Sequence, residues 1–169
     1  MLDTAPVVSA ATDFEGVFRD AFEPMVRALT VASGSRSVAE DCVQEAFSRA
    51  FTRWRRIGRY DDPVGWIRHV AVNLMRDHHR REQRKRRAVT RLAARPDDVA
   101  AAPEPTAAAG LSALVAALPE QQRTAASLFY VEQLSVRETA DAMGLSEGAV
   151  KYHLHAARTS LRRAWEQSP

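Results

Sequence analysis

The stretch LSVRETADAMGLSEGAVKYHLHAARTSLRR, residues 134–163, carries the clearest structural signal in this chain of 169 residues. Ser135 and Glu138 form an S-x-x-E capping box, which satisfies free N–H groups at the start of a helix. Gly144 suits the left-handed backbone that ends many helices, and Ser146 is a typical N-cap for the next helix. The pattern predicts a helix, a glycine-containing turn and a second helix. This is the helix-turn-helix arrangement, whose second helix enters the major groove of DNA.

That second helix is predicted to have one apolar and one polar face. The apolar stripe consists of Val150, Leu154, Ala157, Leu161 and Trp165, and the outward side chains are Lys151, Tyr152, His155, Thr159 and Arg162, with Arg158 on the shoulder. Outward basic and polar side chains can bind phosphates or base edges. A plain amphipathic helix in a helical core is the alternative, and the caps on both sides of the turn favour DNA binding. Further helices are expected over residues 111–118 and 120–132, on either side of Pro119.

A second group of helices is predicted nearer the start of the chain. The first covers about residues 14–31, and the next has an S-x-x-E pattern at Ser37 and Glu40 and is expected to run to about Arg55. Its apolar stripe is formed by Val43, Ala46, Phe47, Ala50 and Trp54. Asp41, Glu45, Ser48 and Thr52 lie opposite that stripe, with Gln44 on its shoulder. This acidic face is either a partner surface or an ordinary solvated face.

The third helix of this group is predicted to start at Asp62 and Pro63, a capping acid followed by proline at the first helical position. One face carries Ile67, Val70, Ala71, Leu74 and His78, and the other carries His69, Asn73, Arg76 and Arg80. The helix continues into the basic stretch HHRREQRKRR, residues 78–87. Phosphate binding explains such a stretch, and the upstream aromatic residues Tyr60 and Trp66 can stack on unpaired bases. A solvated basic helix is the alternative.

The distribution of charge supports separate surfaces for separate partners. Residues 1–52 have a net charge of −4, residues 53–91 of +9 and residues 92–169 of −2. Such a concentration of basic side chains beside acidic segments is expected of a chain that meets a polyanion on one surface and a protein on another.

The pattern predicts an all-α fold of two small helical domains joined by a flexible linker. Residues 1–12 are expected to be a disordered N-terminus, residues 13–91 the first domain, residues 92–110 the linker and residues 111–169 the helix-turn-helix domain. The linker has three prolines and few large apolar side chains. Fully extended, it would span roughly 65 Å, enough for the domains to reach separate sites on DNA.

Several classes of function are disfavoured by the sequence. No apolar run is long enough to cross a bilayer, and residues 1–12 lack the pattern of a secretion signal, so a cytoplasmic protein without membrane insertion is expected. Cys42 is the single cysteine, and neither the pair His78 and His79 nor the pair His153 and His155 can chelate one ion from a regular helix. No catalytic or nucleotide-binding motif occurs. We therefore expect no metal, no cofactor and no enzymatic activity.

Together these stretches resemble the sigma-70 family of bacterial transcription initiation factors, in its extracytoplasmic-function (ECF) group. The stretch SVAEDCVQEAFSRAFTRW is similar to the family's polymerase-binding segment, and DDPVGWIRHVAVNLMRDHHRRE is similar to its minus-10 segment. The stretch from Leu118 to Arg163 is similar to its minus-35 domain, and the segments occur in the family's order. The short form of the chain is similar to an actinobacterial subgroup.

The resemblance implies a function, partners and site residues. It implies binding to core RNA polymerase, at the clamp helices of the largest subunit, and to promoter DNA, with an anti-sigma factor as a further partner and a monomeric free chain. Polymerase would bind Asp41, Gln44, Glu45 and Ser48. The minus-10 element would contact Asn73, Arg76, Asp77, Arg80 and Arg81, and the minus-35 element would contact Ser146, Lys151, Tyr152, His153, His155 and Arg158.

Two other functions remain compatible with the residues. The first is an autonomous transcriptional regulator that binds palindromic half-sites as a dimer. It leaves the acidic face without a role. The second is a helical adaptor without a DNA-binding role, which salt-sensitive binding to nucleic acid would exclude.

Overall fold

The computed structural model describes residues 13–93 and 110–167, and within these ranges the regular elements are all helical, which confirms the predicted fold class. In chain order they are α1 (Phe14–Ser33), α2 (Arg36–Thr52), α3 (Trp54–Ile57), α4 (Pro63–Ala93), α5 (Gly110–Ala116), α6 (Glu120–Ala126), a π-helical segment (Ser127–Val131), α7 (Val136–Met143) and α8 (Glu147–Glu166). The predicted disordered N-terminus and residues 94–109 of the predicted linker lie outside the described residues. None of the described helices has the length and apolar character needed to cross a membrane.

The helix-turn-helix signals are confirmed by the geometry of α7 and α8. The Ser135 hydroxyl accepts a hydrogen bond from the Glu138 N–H at 3.1 Å, and the Glu138 carboxylate accepts one from the Ser135 N–H at 2.8 Å. Gly144 ends α7 with a φ of 65°, which a glycine adopts without strain. The Ser146 hydroxyl then accepts a hydrogen bond from the Ala149 N–H at 3.1 Å. The turn between the two helices is therefore specified by local side-chain chemistry.

The prediction for the start of α2 was wrong. The N-cap is Ser35, whose hydroxyl accepts a hydrogen bond from the Val38 N–H, whereas Glu40 pairs with Arg36 at 2.7 Å. The cause is Gly34, which ends α1 in the left-handed conformation and leaves Ser35 extended immediately before α2. The helix also ends earlier than predicted, at Thr52, and α3 follows as a separate turn.

Both predicted apolar stripes contribute to the core, but the last residue of each stripe is less buried than predicted. Val43, Ala46, Phe47 and Ala50 are buried on α2, whereas Trp54 lies on α3 and is half-buried. On α8, Val150, Leu154 and Ala157 are buried and Leu161 is half-buried. Trp165 is 65% exposed, so its assignment to the inward stripe was wrong. The fully buried positions on α8 stop at Ala157, and Leu161 and Ala164 further along the helix are half-buried.

The two halves of the chain, α1–α4 and α5–α8, lie against each other. Helix α7 packs on α4, and α1 packs against α6 and the π-helical segment. A single hydrophobic cluster continues from Phe47 and Met75 in the first half to Leu128 and Leu154 in the second. The sequence predicted both halves but did not predict this contact between them.

Candidate partner-binding and nucleic-acid surfaces

The acidic face of α2 is open to solvent. Asp41, Gln44, Glu45 and Ser48 are all exposed, since the opposite side of the helix is buried against α1 and α4. Glu45 forms an exposed ion pair with Arg49 at 2.7 Å, one turn further along the helix. A pair of this kind contributes only about 0.3–0.5 kcal/mol to stability. The carboxylates of Asp41 and Glu45 therefore both remain available to a basic partner.

A small groove adjoins this face, between α2 and α4. It is lined by Asp41, Cys42 and Glu45 from α2 and by His78 and Arg81 from α4, among others. Cys42 is buried, and its burial together with the neighbouring charge of Asp41 raises the pKa of the thiol to about 11. A thiol of that pKa is protonated at neutral pH and is a poor nucleophile. Within the described residues no group of three or more histidine, cysteine, aspartate or glutamate side chains is placed to hold a metal ion.

The later turns of α4 form a basic surface. The arginines and lysine of this surface are exposed: Arg80, Arg81, Arg84, Lys85, Arg86, Arg87 and Arg91. Asp77 is also exposed and lies 3.8 Å from Arg80. Because these guanidinium groups are not enclosed by the core, they are free to reorient toward phosphates.

Asn73 and Arg76 lie on the same helix but in a different environment. Both are half-buried, because the C-terminal end of α7 covers this part of α4. The Arg76 guanidinium donates a hydrogen bond to the Met143 carbonyl at 3.0 Å. The Asn73 side-chain nitrogen lies 2.9 Å from Nε2 of His69, whose Nδ1 lies 3.0 Å from the Asp141 carbonyl oxygen. The five residues predicted to contact the minus-10 element are therefore divided between an open surface and a covered one.

On α8, most of the predicted minus-35 residues lie on the outward face. Lys151, Tyr152, His155 and Arg158 are exposed, and the aromatic side chain of Tyr152 is 66% exposed. Ser146 is exposed at the start of the helix, where its hydroxyl is engaged as the N-cap.

His153 is placed differently from the other predicted minus-35 residues. It is half-buried, and its Nδ1 is shielded from solvent without a hydrogen-bond partner. His153 is therefore partly withdrawn from the exposed face of α8.

Sequence reasoning missed a cluster of arginines around α3. Arg53, Arg55, Arg56 and Arg59 line an open groove together with the aromatic side chains of Phe51 and Trp54. The signal was present in the stretch FTRWRRIGR, residues 51–59, where four arginines lie close to Phe51 and Trp54 at the start of the basic segment. This arrangement is typical of surfaces that bind single-stranded nucleic acid.

It also missed a buried ion pair between the two halves. Arg68 on α4 donates a hydrogen bond from Nε to Glu132 at 2.8 Å, and the two side chains are only 8% and 4% exposed. Burial raises the pKa of Glu132, and the Arg68 charge opposes that rise. The signal was the position of Arg68 in an apolar row, one turn after Val64 and one turn before Val72.

Comparison with known protein families gives two matches that follow each other along the chain. A model of Sigma-70 region 2 matches residues 18–85, and a model of Sigma-70 region 4 matches residues 109–161. The first match includes the acidic face and most of α4, up to residue 85, and the second includes the helix-turn-helix.

Curated relatives of the chain are RNA polymerase sigma factors. The chain is 30% identical to the RNA polymerase sigma-E factor of Streptomyces coelicolor over 124 residues, which are 73% of this chain and 70% of that protein. It is 28% identical to the ECF RNA polymerase sigma factor SigE of Mycolicibacterium smegmatis, covering 77% of this chain and 52% of that protein. It is 33% identical to the probable RNA polymerase sigma factor RfaY of Xanthomonas campestris, where it spans 34% of the longer protein.

Two solved structures share the fold. One is the sigma factor RpoE in complex with the anti-sigma factor NepR from Bartonella quintana, with a TM-score of 0.68 at 19% identity, covering 93% of this chain and 99% of that chain. The other is CnrH in complex with the cytosolic domain of CnrY, with a TM-score of 0.63 at 20% identity, covering 92% of this chain and 89% of that chain.

Proposed function

The chain belongs to the sigma-70 family of RNA polymerase sigma factors, in its ECF group, and from this premise we propose that it binds core RNA polymerase and directs initiation at particular promoters. One observation carries the proposal. The two matched regions occur in order in one chain, and each presents an exposed surface of the required chemistry. The chain would act as an initiation factor without a catalytic step of its own, in the cytoplasm, where its polymerase and promoters lie.

We assign polymerase binding to the acidic face of α2. Asp41 and Glu45 supply negative charge, and Gln44 and Ser48 supply hydrogen-bonding groups on the same exposed side. Charged groups at the rim of an interface mainly accelerate association and exclude wrong partners. This face therefore suits a basic helical surface, such as the clamp helices of the largest polymerase subunit that the family resemblance implies.

We assign contact with the minus-10 element to α4. Arg80 and Arg81 are placed to neutralise phosphates, and the arginine cluster around α3 supplies further positive charge in the first half of the chain. An asparagine side chain such as that of Asn73 can bind the edge of an adenine with two hydrogen bonds. Phosphate contacts would position α4 on the promoter, and contacts to base edges would supply selectivity.

We assign contact with the minus-35 element to the exposed face of α8. The first helix of a helix-turn-helix crosses the DNA backbone while the second enters the major groove. Lys151 and Arg158 lie about two turns apart on the outward face of α8, so both can reach the same stretch of groove. Weak binding by each half becomes strong when polymerase holds both near one promoter, because the second contact is then intramolecular.

Transcription with core polymerase on a library of randomised promoters tests this function. The expected result is initiation from a subset of sequences that share two short elements, and no initiation when either the chain or the core polymerase is left out. Absence of selective initiation across the library would contradict the proposal. Binding to a palindromic site without polymerase, with a dimeric mass in gel filtration, would favour an autonomous regulator.

A further inference from the structure

We propose that Arg84, Arg87 and Arg91 bind backbone phosphates of the double-stranded DNA that lies between the minus-10 and minus-35 elements. This inference rests on the proposed function and adds a contact that α4 makes without reading bases. Arg87 and Arg91 lie beyond the match to Sigma-70 region 2, which ends at residue 85.

The last turns of α4 extend beyond the core. Met75 is the last buried residue of α4, which continues to Ala93. Every residue from Gln83 to Leu92 is exposed, so no described helix covers this segment. The end of α4 is therefore a helix that a partner can approach from all sides.

Four arginines share one face of the later turns of α4, and we call them the arginine stripe: Arg80, Arg84, Arg87 and Arg91. Their spacing is i, i+4, i+7 and i+11, so at about 100° per residue they fall within about 60° of one another around the helix axis. Asn73 lies on the same line, two turns before the stripe. Lys85 and Arg86 each lie about 130° away from the centre of the stripe. The stripe is therefore a direct continuation of the face that carries Asn73.

The charge of the arginine stripe is largely uncompensated by the rest of the described chain. From Arg80 onward, the ion pairs of α4 among the described residues are Asp77 with Arg80 at 3.8 Å and Glu82 with Lys85 at 2.9 Å. Like charges one turn apart on a helix repel each other, and a phosphate that binds between two arginines relieves that repulsion. Binding also releases counterions from DNA, which favours association. A row of arginines of this kind therefore suits a polyanion with regularly spaced charges.

The position of the arginine stripe along the chain indicates which part of the DNA it meets. The arginine and aromatic cluster around α3 precedes α4 and has the chemistry of a surface that binds single-stranded DNA. The segment after α4 leads to the helix-turn-helix half, for which we propose contact with the minus-35 element. We therefore expect the end of α4 to lie on the minus-35 side of the minus-10 element, over double-stranded DNA.

The length of the arginine stripe sets how much duplex it covers. Arg80, which we assign to the minus-10 element, and Arg91 are eleven residues apart, or about 16 Å along the helix. DNA rises about 3.4 Å per base pair, so the stripe reaches about five base pairs beyond the contact of Arg80. Phosphate contacts carry no sequence information, so the stripe should strengthen binding whatever the sequence of these base pairs.

Salt-dependent binding of the full chain to DNA tests the arginine stripe. The probe is a labelled duplex of about 20 base pairs without promoter elements, titrated at salt concentrations of about 50 and 200 mM. Each lost phosphate contact lowers the slope of log affinity against log salt by about 0.9, so the stripe variant Arg87→Gln with Arg91→Gln should lower it by about 1.8. The rise in salt should then weaken binding by the parent chain about twelvefold more than binding by the stripe variant. An unchanged slope would overturn the proposal.

Two variants with the same change in net charge provide the controls. Lys85→Gln with Arg86→Gln removes two charges from the other side of α4, and Arg19→Gln with Arg27→Gln removes two exposed charges from α1. Both should lower the slope by less than the stripe variant does. An equal effect of either control would show that net charge acts rather than the stripe, which overturns the proposal. Glutamine is nearly as good a helix former as arginine, and circular dichroism checks that each variant is folded.

Uncharged DNA locates the contact in the complex with polymerase. In a promoter taken from the randomised library, methylphosphonates replace the phosphates of about five base pairs next to the minus-10 element, on its minus-35 side. This replacement should weaken promoter binding by polymerase with the parent chain and should have little effect with the stripe variant. Equal weakening with both chains would overturn the proposal, and so would weaker binding of the stripe variant to core polymerase in the absence of DNA.

The two experiments separate this inference from the proposed function. Selective initiation together with an unchanged slope would overturn the role of the arginine stripe alone. A slope that depends on the stripe, without selective initiation from any promoter, would contradict the proposed function and with it the placement of the stripe between the two elements.

Discussion

Reversing two charges on the acidic face of α2 should separate polymerase binding from folding. In the double variant Asp41→Lys with Glu45→Lys, each attraction to a basic partner becomes a repulsion. A pair of unit charges about 4 Å apart in water interacts by about 1 kcal/mol, so each reversal changes the binding energy by about 2 kcal/mol. Two reversals change it by about 4 kcal/mol, which weakens the affinity for core polymerase by about three orders of magnitude.

The stability of the fold should change little in that variant. Both positions are exposed, and among the described residues the ion pair lost is the surface pair of Glu45 with Arg49. Affinity is measured by titrating a labelled chain with core polymerase at two salt concentrations, with thermal unfolding as the check on structure. A matched control is Asp20→Lys with Glu23→Lys on α1, which makes the same change in net charge at exposed positions. Equal loss of affinity in both double variants, or none in the first, would refute the assignment of the docking face.

Four further outcomes are expected. Cys42 should resist alkylation in the native chain at neutral pH and react once the chain is denatured, as followed by mass spectrometry, because burial raises the pKa of its thiol to about 11. Ser135→Ala should lower the free energy of unfolding by about 1 kcal/mol. Hydrogen bonding to Ser135 holds the pKa of Glu138 below its ordinary value. The ionised carboxylate therefore stabilises the fold above its ordinary pKa, and this stabilisation is lost as the pH falls through the lowered pKa of the folded chain. Denaturant titrations at a series of acidic pH values would detect the loss. Lys151→Ala with Arg158→Ala should reduce initiation at promoters with an intact minus-35 element more than at promoters lacking it, and an equal reduction at both would argue against base contact by α8.

Local signals in the sequence predicted helix boundaries correctly where a single side chain sets the boundary. The capping box at Ser135 and the left-handed Gly144 needed no knowledge of distant residues, since their hydrogen bonds lie within a few positions along the chain. The start of α2 was missed for a related reason. Ser35 and Ser37 are both plausible caps, and the choice depended on where Gly34 ended the preceding helix.

The sequence correctly predicted which candidate site residues are exposed to solvent on those helix faces that no other helix covers. Asp41 and Glu45 on α2 and Lys151 on α8 are exposed as their helical periodicity indicated. Asn73 shares a polar face with exposed arginines, yet it is half-buried because α7 packs there. Helical periodicity reports which side chains share a face but does not report what covers that face.

The sequence by itself determined the helical character of the chain, the helix-turn-helix, the acidic face and the basic segment, because each depends on residues within a few turns of one another. Only the tertiary structure decided that the halves share one core, that Arg68 pairs with Glu132 in its interior, and that His69 and Arg76 complete the end of α7. These contacts join residues more than sixty positions apart along the chain. They depend on how apolar surfaces from the two halves fit together in three dimensions, which no local pattern specifies.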